Sequence, residues 1–157
     1  MNFFIPTKHR FVRCFFLIQG IKMQNEQNGP TKITSLTYDI AHVVYAETCA
    51  SSLDVIEALT SMIANRALKT NQKIQDIISD ENVFESLNEN SAHHKYLFVD
   101  ENEPRFQICV RTAQRMKRGM LGDKCRGAIS FHRESVMPDW ARSRGYIAEL
   151  DGLLFYR

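Results

Sequence analysis

Two things are scarce in this sequence: apolar runs long enough to span a bilayer, and net charge. The apolar stretch at residues 15–18 is far shorter than the roughly 20 residues that a membrane-spanning helix needs, so no stable membrane span is expected. The net charge of +2 is too small to indicate a nucleic-acid partner. It would not hinder approach to an anionic polymer such as a cell wall.

Cysteine is also sparse. The four cysteines have no C-x-x-C spacing and are too few for a disulfide scaffold, so small buried thiols are the simpler expectation. A bond between Cys49 and Cys125 in an oxidising envelope stays open, because connectivity cannot be deduced from sequence.

The composition is that of one ordinary globular domain, with 157 residues, 44% of them hydrophobic and 24% charged. We expect this domain to cover residues 31–157, after an N-terminal extension and linker at residues 1–30. The extension places basic residues before a short apolar stretch, but Arg13 interrupts that stretch and no small-x-small cleavage site follows. A poor export signal, a membrane-touching tail and a misjudged translation start all remain open.

Most of the domain has helical periodicity. The predicted helices cover residues 37–48, 54–68 and 74–79, and a fourth begins at Pro104 and ends near Gly119. At the start of the second helix, Asp54 and Glu57 form an acidic variant of the capping box. Residues 82–103 are polar and are expected to be rich in loops.

The pattern changes near the C-terminus. The segment "GAISFH" at residues 127–132 predicts a short strand, and Asp151-Gly152 predicts a hairpin with a type I′ turn. The sequence therefore predicts a mainly α-helical α+β domain with a small antiparallel β element.

One acidic residue occupies an unexpected position in the first helix. Ile40, Val43, Val44 and Glu47 have the i, i+3, i+4, i+7 spacing that places four side chains on one face. Burial disfavours the charged form of a carboxyl, and the negative end of the helix dipole acts in the same direction. A proton held in this way is what cleavage of a glycosidic bond requires. The simpler interpretation is that Glu47 turns outward into water or caps a neighbouring amide.

Further segments repeat a known arrangement. The layout "VVYAE…A…IANR", from Glu47 to Asn65-Arg66, resembles the SleB/CwlJ cell wall hydrolase family, and "NVFES", "GAISFH", "MPDWA" and "FYR" follow in the family's order. The resemblance covers about residues 37–157. It departs after the glutamate, where the family's Arg and Gly-Glu-Pro are replaced by "CASS" at residues 49–52, and at Leu153, where the family has a histidine.

This resemblance implies a lysozyme-like, lytic transglycosylase-like domain that acts on peptidoglycan glycan strands in the cell envelope, in the periplasm or cell wall, without a cofactor or metal. The bond cut would lie between N-acetylmuramic acid and N-acetylglucosamine. In lytic transglycosylase chemistry the muramic 6-hydroxyl closes onto the anomeric carbon, so one carboxyl, here Glu47, can serve first as acid and then as base. Phe84, His132 and Trp140 fall on motif positions and are expected to contact substrate. Tyr45, on the Glu47 helix but off its apolar face, is a further candidate.

A second catalytic acid is harder to find. Asp54 and Glu57 belong to a helix start, and Asp100, Glu101 and Glu103 form a charge run typical of a solvated loop. This lack agrees with the single-acid chemistry that the resemblance implies.

Two alternatives remain open. A zinc-dependent N-acetylmuramoyl-L-alanine amidase could draw on the histidines, but His42, His93, His94 and His132 lack the H-E-x-x-H or Cys/His spacing of a zinc site. A non-catalytic wall-binding module is the other alternative. The basic stretch "RTAQRMKRG" is simpler as the solvated face of a helix than as a nucleic-acid site.

Overall fold

The computed structural model describes residues 34–157, so the extension and linker expected at residues 1–30 lie outside the described residues. Within this range the helices are α1 (Ser35–Thr48), α2 (Leu53–Thr70), α3 (Ile74–Ile78) and α4 (Pro104–Lys117), with short 3-10 helices at Glu85–Leu87, His94–Phe98 and Asp139–Ser143. The strands are β1 (Ser130–Arg133), β2 (Tyr146–Leu150) and β3 (Leu153–Tyr156). The predicted mainly helical α+β architecture is confirmed.

The start of α2 differs from the prediction. Ser52 is the N-cap residue, and its side chain accepts a hydrogen bond from the Val55 N–H at 3.3 Å. The predicted capping role of Asp54 and Glu57 is therefore wrong, because the helix begins one residue earlier. Glu57 is instead buried and pairs with Arg115 at 2.5 Å.

The connection from α1 to α2 fixes the end of the Glu47 helix without a glycine. Cys49 and Ala50 both have left-handed backbones, with φ values of 50° and 48°. The Cys49 N–H donates to the Tyr45 carbonyl at 2.7 Å, and the Ala50 N–H donates to the Thr48 hydroxyl at 3.1 Å. The first bond satisfies one of the last carbonyls of the helix, and the second gives a partner to an N–H just beyond the helix end, so Glu47 lies in a well-defined last turn.

The sheet has the order β1-β3-β2, with all neighbours antiparallel. Asp151 and Gly152, between β2 and β3, have φ values of 48° and 76°, which confirms the predicted hairpin with left-handed residues at both turn positions. In the β1–β3 pair, Arg133 lies opposite Leu153. This pairing holds the end of β1 in the position from which its side chains reach α1.

The described cysteines are free. Cys49 is half-buried, whereas Cys109 and Cys125 are buried, so the disulfide left open between Cys49 and Cys125 is not formed. Burial is the largest cause that raises the pKa of each buried thiol to about 12. These two side chains act as small apolar groups, as expected.

Candidate active site

Glu47 lies in the last turn of α1 with only 1% of its surface exposed. Its Oε1 accepts a hydrogen bond from the Ser86 N–H at 2.7 Å, and its Oε2 accepts one from Arg133 Nη2 at 2.6 Å. The burial inferred from helical spacing is present. The surroundings are nevertheless not purely apolar, because a guanidinium and a backbone N–H face the two oxygens.

Arg133 links Glu47 to a second acid. Its Nε lies 3.4 Å from Glu85 Oε2, an ion pair without hydrogen-bond alignment. The Arg133 side chain is 15% exposed and that of Glu85 is 51% exposed. The three side chains therefore form a chain of alternating charge that runs from the protein interior to the surface.

A cleft of about 240 Å³ lies beside this charge chain. Its lining includes Glu47, Glu85, Arg133, Asn82, His132 and Trp140. Carboxylates, a guanidinium, an amide and aromatic rings thus face one open space, the mixture of polar groups and flat apolar surfaces that sugar binding needs.

His132 and Trp140 form an aromatic cluster on the cleft wall. The His132 ring stacks on Tyr156 with 5.2 Å between centroids, and its Nε2 lies 3.0 Å from the Tyr156 hydroxyl. Trp140 approaches His132 edge-on at 5.7 Å. The cluster fixes the orientation of both predicted substrate-contacting rings, and their contact with substrate stays a prediction.

The substrate-binding role predicted for Phe84 is corrected by its position. Phe84 is 0% exposed and packs against Phe131 with 5.7 Å between ring centroids. A side chain without exposed surface cannot serve as a platform for a sugar. Large aromatic rings stabilise the core when they are buried, and this contribution accounts for its place.

Tyr45 lies away from the cleft. Its ring is 6.0 Å from that of Phe106 on α4, and it is not among the residues that line the cleft. Burial is the largest cause that raises the Tyr45 pKa, and the charge of Glu103 adds to it. The structure therefore places Tyr45 in the α1–α4 packing, and its predicted role at the site is corrected.

Arg133 and Glu85 are not among the site residues predicted from the sequence. Each follows directly after a residue that was noted, Glu85 after Phe84 and Arg133 after His132. A usable signal existed, since a carboxylate predicted on a buried face requires a compensating partner. The chain alone did not show which cation would supply it.

A zinc amidase needs a cluster of metal ligands, and a membrane span needs a long apolar helix. Within residues 34–157, no group of three His, Cys, Asp or Glu side chains is placed to hold a metal ion, which the zinc amidase alternative requires. No helix in this part of the chain is long and apolar enough to cross a membrane.

A sequence model of one protein family, described as Cell Wall Hydrolase, matches residues 55–156. This chain belongs to the cell wall hydrolase family. Membership confirms the resemblance noted in the sequence and gives the class of activity, enzymatic cleavage of peptidoglycan. Glu47 precedes the matched segment, so its role stays a prediction.

Two solved structures share the fold. The catalytic domain of the germination-specific lytic transglycosylase SleB from Bacillus anthracis matches with a TM-score of 0.62 at 15% identity, covering 82% of this chain and 100% of that one. The catalytic domain of the Bacillus cereus SleB protein matches with a TM-score of 0.58 at 14% identity, covering 85% and 98%. Among curated proteins, none matches this sequence. The lysozyme-like fold predicted for this member of the cell wall hydrolase family is confirmed.

Proposed function

We propose that this protein cleaves peptidoglycan strands between N-acetylmuramic acid and N-acetylglucosamine as a lytic transglycosylase, with Glu47 as its single acid and base. The observation that carries the proposal is the position of Glu47, buried in a helix end yet part of the cleft wall. Family membership and a fold shared with a domain named as a lytic transglycosylase support it. A wall substrate implies a working compartment in the periplasm or cell wall.

The reaction uses one proton on Glu47, which the residue donates in the first step and regains in the second. Glu47 in its acid form donates this proton to the glycosidic oxygen, and the bond from that oxygen to the muramic C1 breaks. The Glu47 carboxylate then removes the proton from the muramic 6-hydroxyl as this oxygen bonds to C1. The product is a 1,6-anhydro end, and no water is consumed.

Arg133 sets the order of these steps. A guanidinium beside a carboxylate stabilises its charge, which suits the base step and opposes the acid step. Glu85 offers Arg133 a second partner at 3.4 Å. In our proposal, entry of the sugar moves Arg133 toward Glu85, which takes away the cation that opposes proton donation by Glu47.

One feature of the cleft favours a second candidate, a hydrolase that uses two carboxyls. Glu85 lines the same cleft as Glu47 and is exposed enough to contact water. As a base for water, it would give a reducing muramic end instead of an anhydro end.

Mass spectrometry of digested sacculi separates the two candidates. The transglycosylase proposal expects anhydro ends from the native protein, the same ends at a lower rate from Glu85→Gln, in which Arg133 loses its second charged partner, and no fragments from Glu47→Gln. Reducing ends that disappear in Glu85→Gln would select the hydrolase. Freed peptide stems, or intact sacculi after incubation with the native protein, would remove both candidates.

A further inference from the structure

A second recess, of about 200 Å³, adjoins the Glu47 cleft. The two spaces share Asn82, Val83, Phe131 and Trp140 in their linings. Three of the described residues line the recess but not the Glu47 cleft: Arg66, Arg144 and Ser130. No glutamate in this part of the chain lines the recess. The charged groups that line the two neighbouring spaces thus change from mainly acidic beside Glu47 to basic beside Arg66 and Arg144.

Arg66 reaches this recess from α2 and is held by a neutral group. Its Nη1 donates to the Ile129 carbonyl at 3.0 Å, while its buried Nε has no hydrogen-bond partner among residues 34–157. Burial is the largest cause that lowers the Arg66 pKa, the charge of Asp80 opposes this, and the charge of Arg144 adds to it. An arginine stays charged under such conditions, so, among the described residues, its Nε–H is left without a partner and its charge is met only by the field of Asp80, which lies beyond ion-pair distance.

Arg144 approaches from the other side, also through neutral partners. Its guanidinium carbon lies 4.9 Å from the centre of the Trp140 ring, and its Nη1 donates to the Ser130 hydroxyl. Among residues 34–157, neither Arg66 nor Arg144 has a carboxylate within ion-pair distance. Two like charges beside one recess repel each other, and an anion between them relieves this repulsion.

We propose that this recess is the subsite for a carboxylate of the peptide stem on the muramic residue bound next to Glu47. The inference rests on the proposed function, because it takes a glycan strand as the occupant of the neighbouring cleft. The sugar backbone of such a strand is uncharged where the muramic lactyl carboxyls form amide bonds to the stems, whereas the peptide stems themselves carry carboxylates. Guanidinium groups bind carboxylates through paired, charge-assisted hydrogen bonds, so the two arginines select strands that still carry stems.

The direct test is the affinity for a disaccharide with and without its stem. The probes are N-acetylglucosaminyl-N-acetylmuramyl tetrapeptide and the same disaccharide in which a methylamide replaces the peptide, so that the lactyl group carries no free carboxylate, titrated into the native protein by calorimetry. In both probes N-acetylglucosamine precedes the muramic residue, so the bond that the protein would cut, from the muramic C1 to a following N-acetylglucosamine, is absent. Binding is therefore measured without cleavage. We expect the stem to lower Kd about tenfold, the effect of one charge-assisted hydrogen bond.

Arg144→Gln should abolish this preference, and Arg142→Gln is the matched control. Arg142 belongs to the same 3-10 helix as Trp140, is exposed and does not line the recess. A second variant, Arg66→Lys, keeps the charge but not the planar fork, and should retain only part of the preference.

Each result of these titrations either supports or overturns the proposed subsite for a stem carboxylate. Equal Kd values for both probes in the native protein, binding of neither, or a loss in Arg144→Gln that is the same for both probes would overturn it. A stem preference that Arg144→Gln removes and Arg142→Gln keeps would support it. If that preference is found but sacculi stay uncut, the proposed function fails while the subsite stands.

Discussion

Arg133 donates to Glu47 across 2.6 Å, although 86 positions in the chain separate the two residues. The pair joins the last turn of α1 to the end of β1, so the helical part and the sheet meet at the proposed catalytic acid. Because Glu47 is shielded from water, this contact couples the activity of the site to the stability of the domain.

Replacing Glu47 by Gln should remove activity and leave the fold intact. Glutamine still accepts the hydrogen bond from Ser86, but it cannot donate and recover a proton as the carboxyl does. We expect release of muropeptides to fall at least about 100-fold, the usual contribution of general acid–base catalysis. The assay is chromatography of digested sacculi, with circular dichroism to verify folding. Glu89→Gln, at an exposed acid that does not line the cleft, is the control, and equal rates in both variants would contradict the proposal.

Replacing Arg133 by Met should destabilise the domain. The Glu47 carboxylate would stay buried without its cation, and breaking a buried pair in this way costs about 3 kcal/mol. The measurement is urea unfolding at pH 7. Adding Glu47→Gln to this variant should recover much of the loss, because no unpaired charge then remains.

Glu85→Gln provides the contrast to Arg133→Met. It removes a half-exposed partner of Arg133, and such pairs contribute at most about 1 kcal/mol. If the free energy of unfolding falls by the same amount in Glu85→Gln and in Arg133→Met, the buried Glu47–Arg133 pair stabilises the domain no more than the half-exposed pair does.

The two aromatic candidates should behave in opposite ways. Trp140→Ala should raise KM for glycan strands about tenfold, since a ring in the cleft wall can stack on a sugar. Phe84→Leu should leave KM unchanged and lower the free energy of unfolding by about 1 kcal/mol or more, because it alters a filled core. Steady-state kinetics and urea unfolding on both variants check this, and a raised KM in Phe84→Leu would restore its predicted role.

Stability should fall at alkaline pH. The folded protein raises the pKa of Cys109 and Cys125 from 9.0 to about 12. Between these values the unfolded chain releases the thiol protons and the folded chain keeps them, so rising pH favours unfolding. The loss is about 1.4 kcal/mol per pH unit for each thiol within that window.

Denaturant unfolding at pH 8 and pH 10, in the presence of a reductant, measures this slope. The Cys109→Ala variant removes one of the two thiols, so its stability should depend less steeply on pH. An unchanged slope in this variant would contradict the assignment.

The features that depend only on neighbouring residues in the chain were predicted from the sequence. The spacing from Ile40 to Glu47 gave the buried face of α1, and Asp151-Gly152 gave the hairpin, because both depend on neighbours in the chain. The cap of α2 was misplaced because Ser52 and Asp54 are both good capping residues and only the backbone chooses between them.

The site itself depends on distant contacts. The pairing of Arg133 with Glu47, and the burial of Phe84, are set by how the sheet docks on the helices, which no periodicity encodes. The nature of Glu47 as an acid on a buried face was therefore predictable, but its partner was not.

Two carboxylates and one guanidinium in the chain of Glu47, Arg133 and Glu85 leave a single excess negative charge. One added proton makes this cluster electrically neutral, and a second would make it positive. Because Glu47 donates one proton and regains one in each reaction, the cluster ends with the same charge that it had at the start, and the next linkage can be cut.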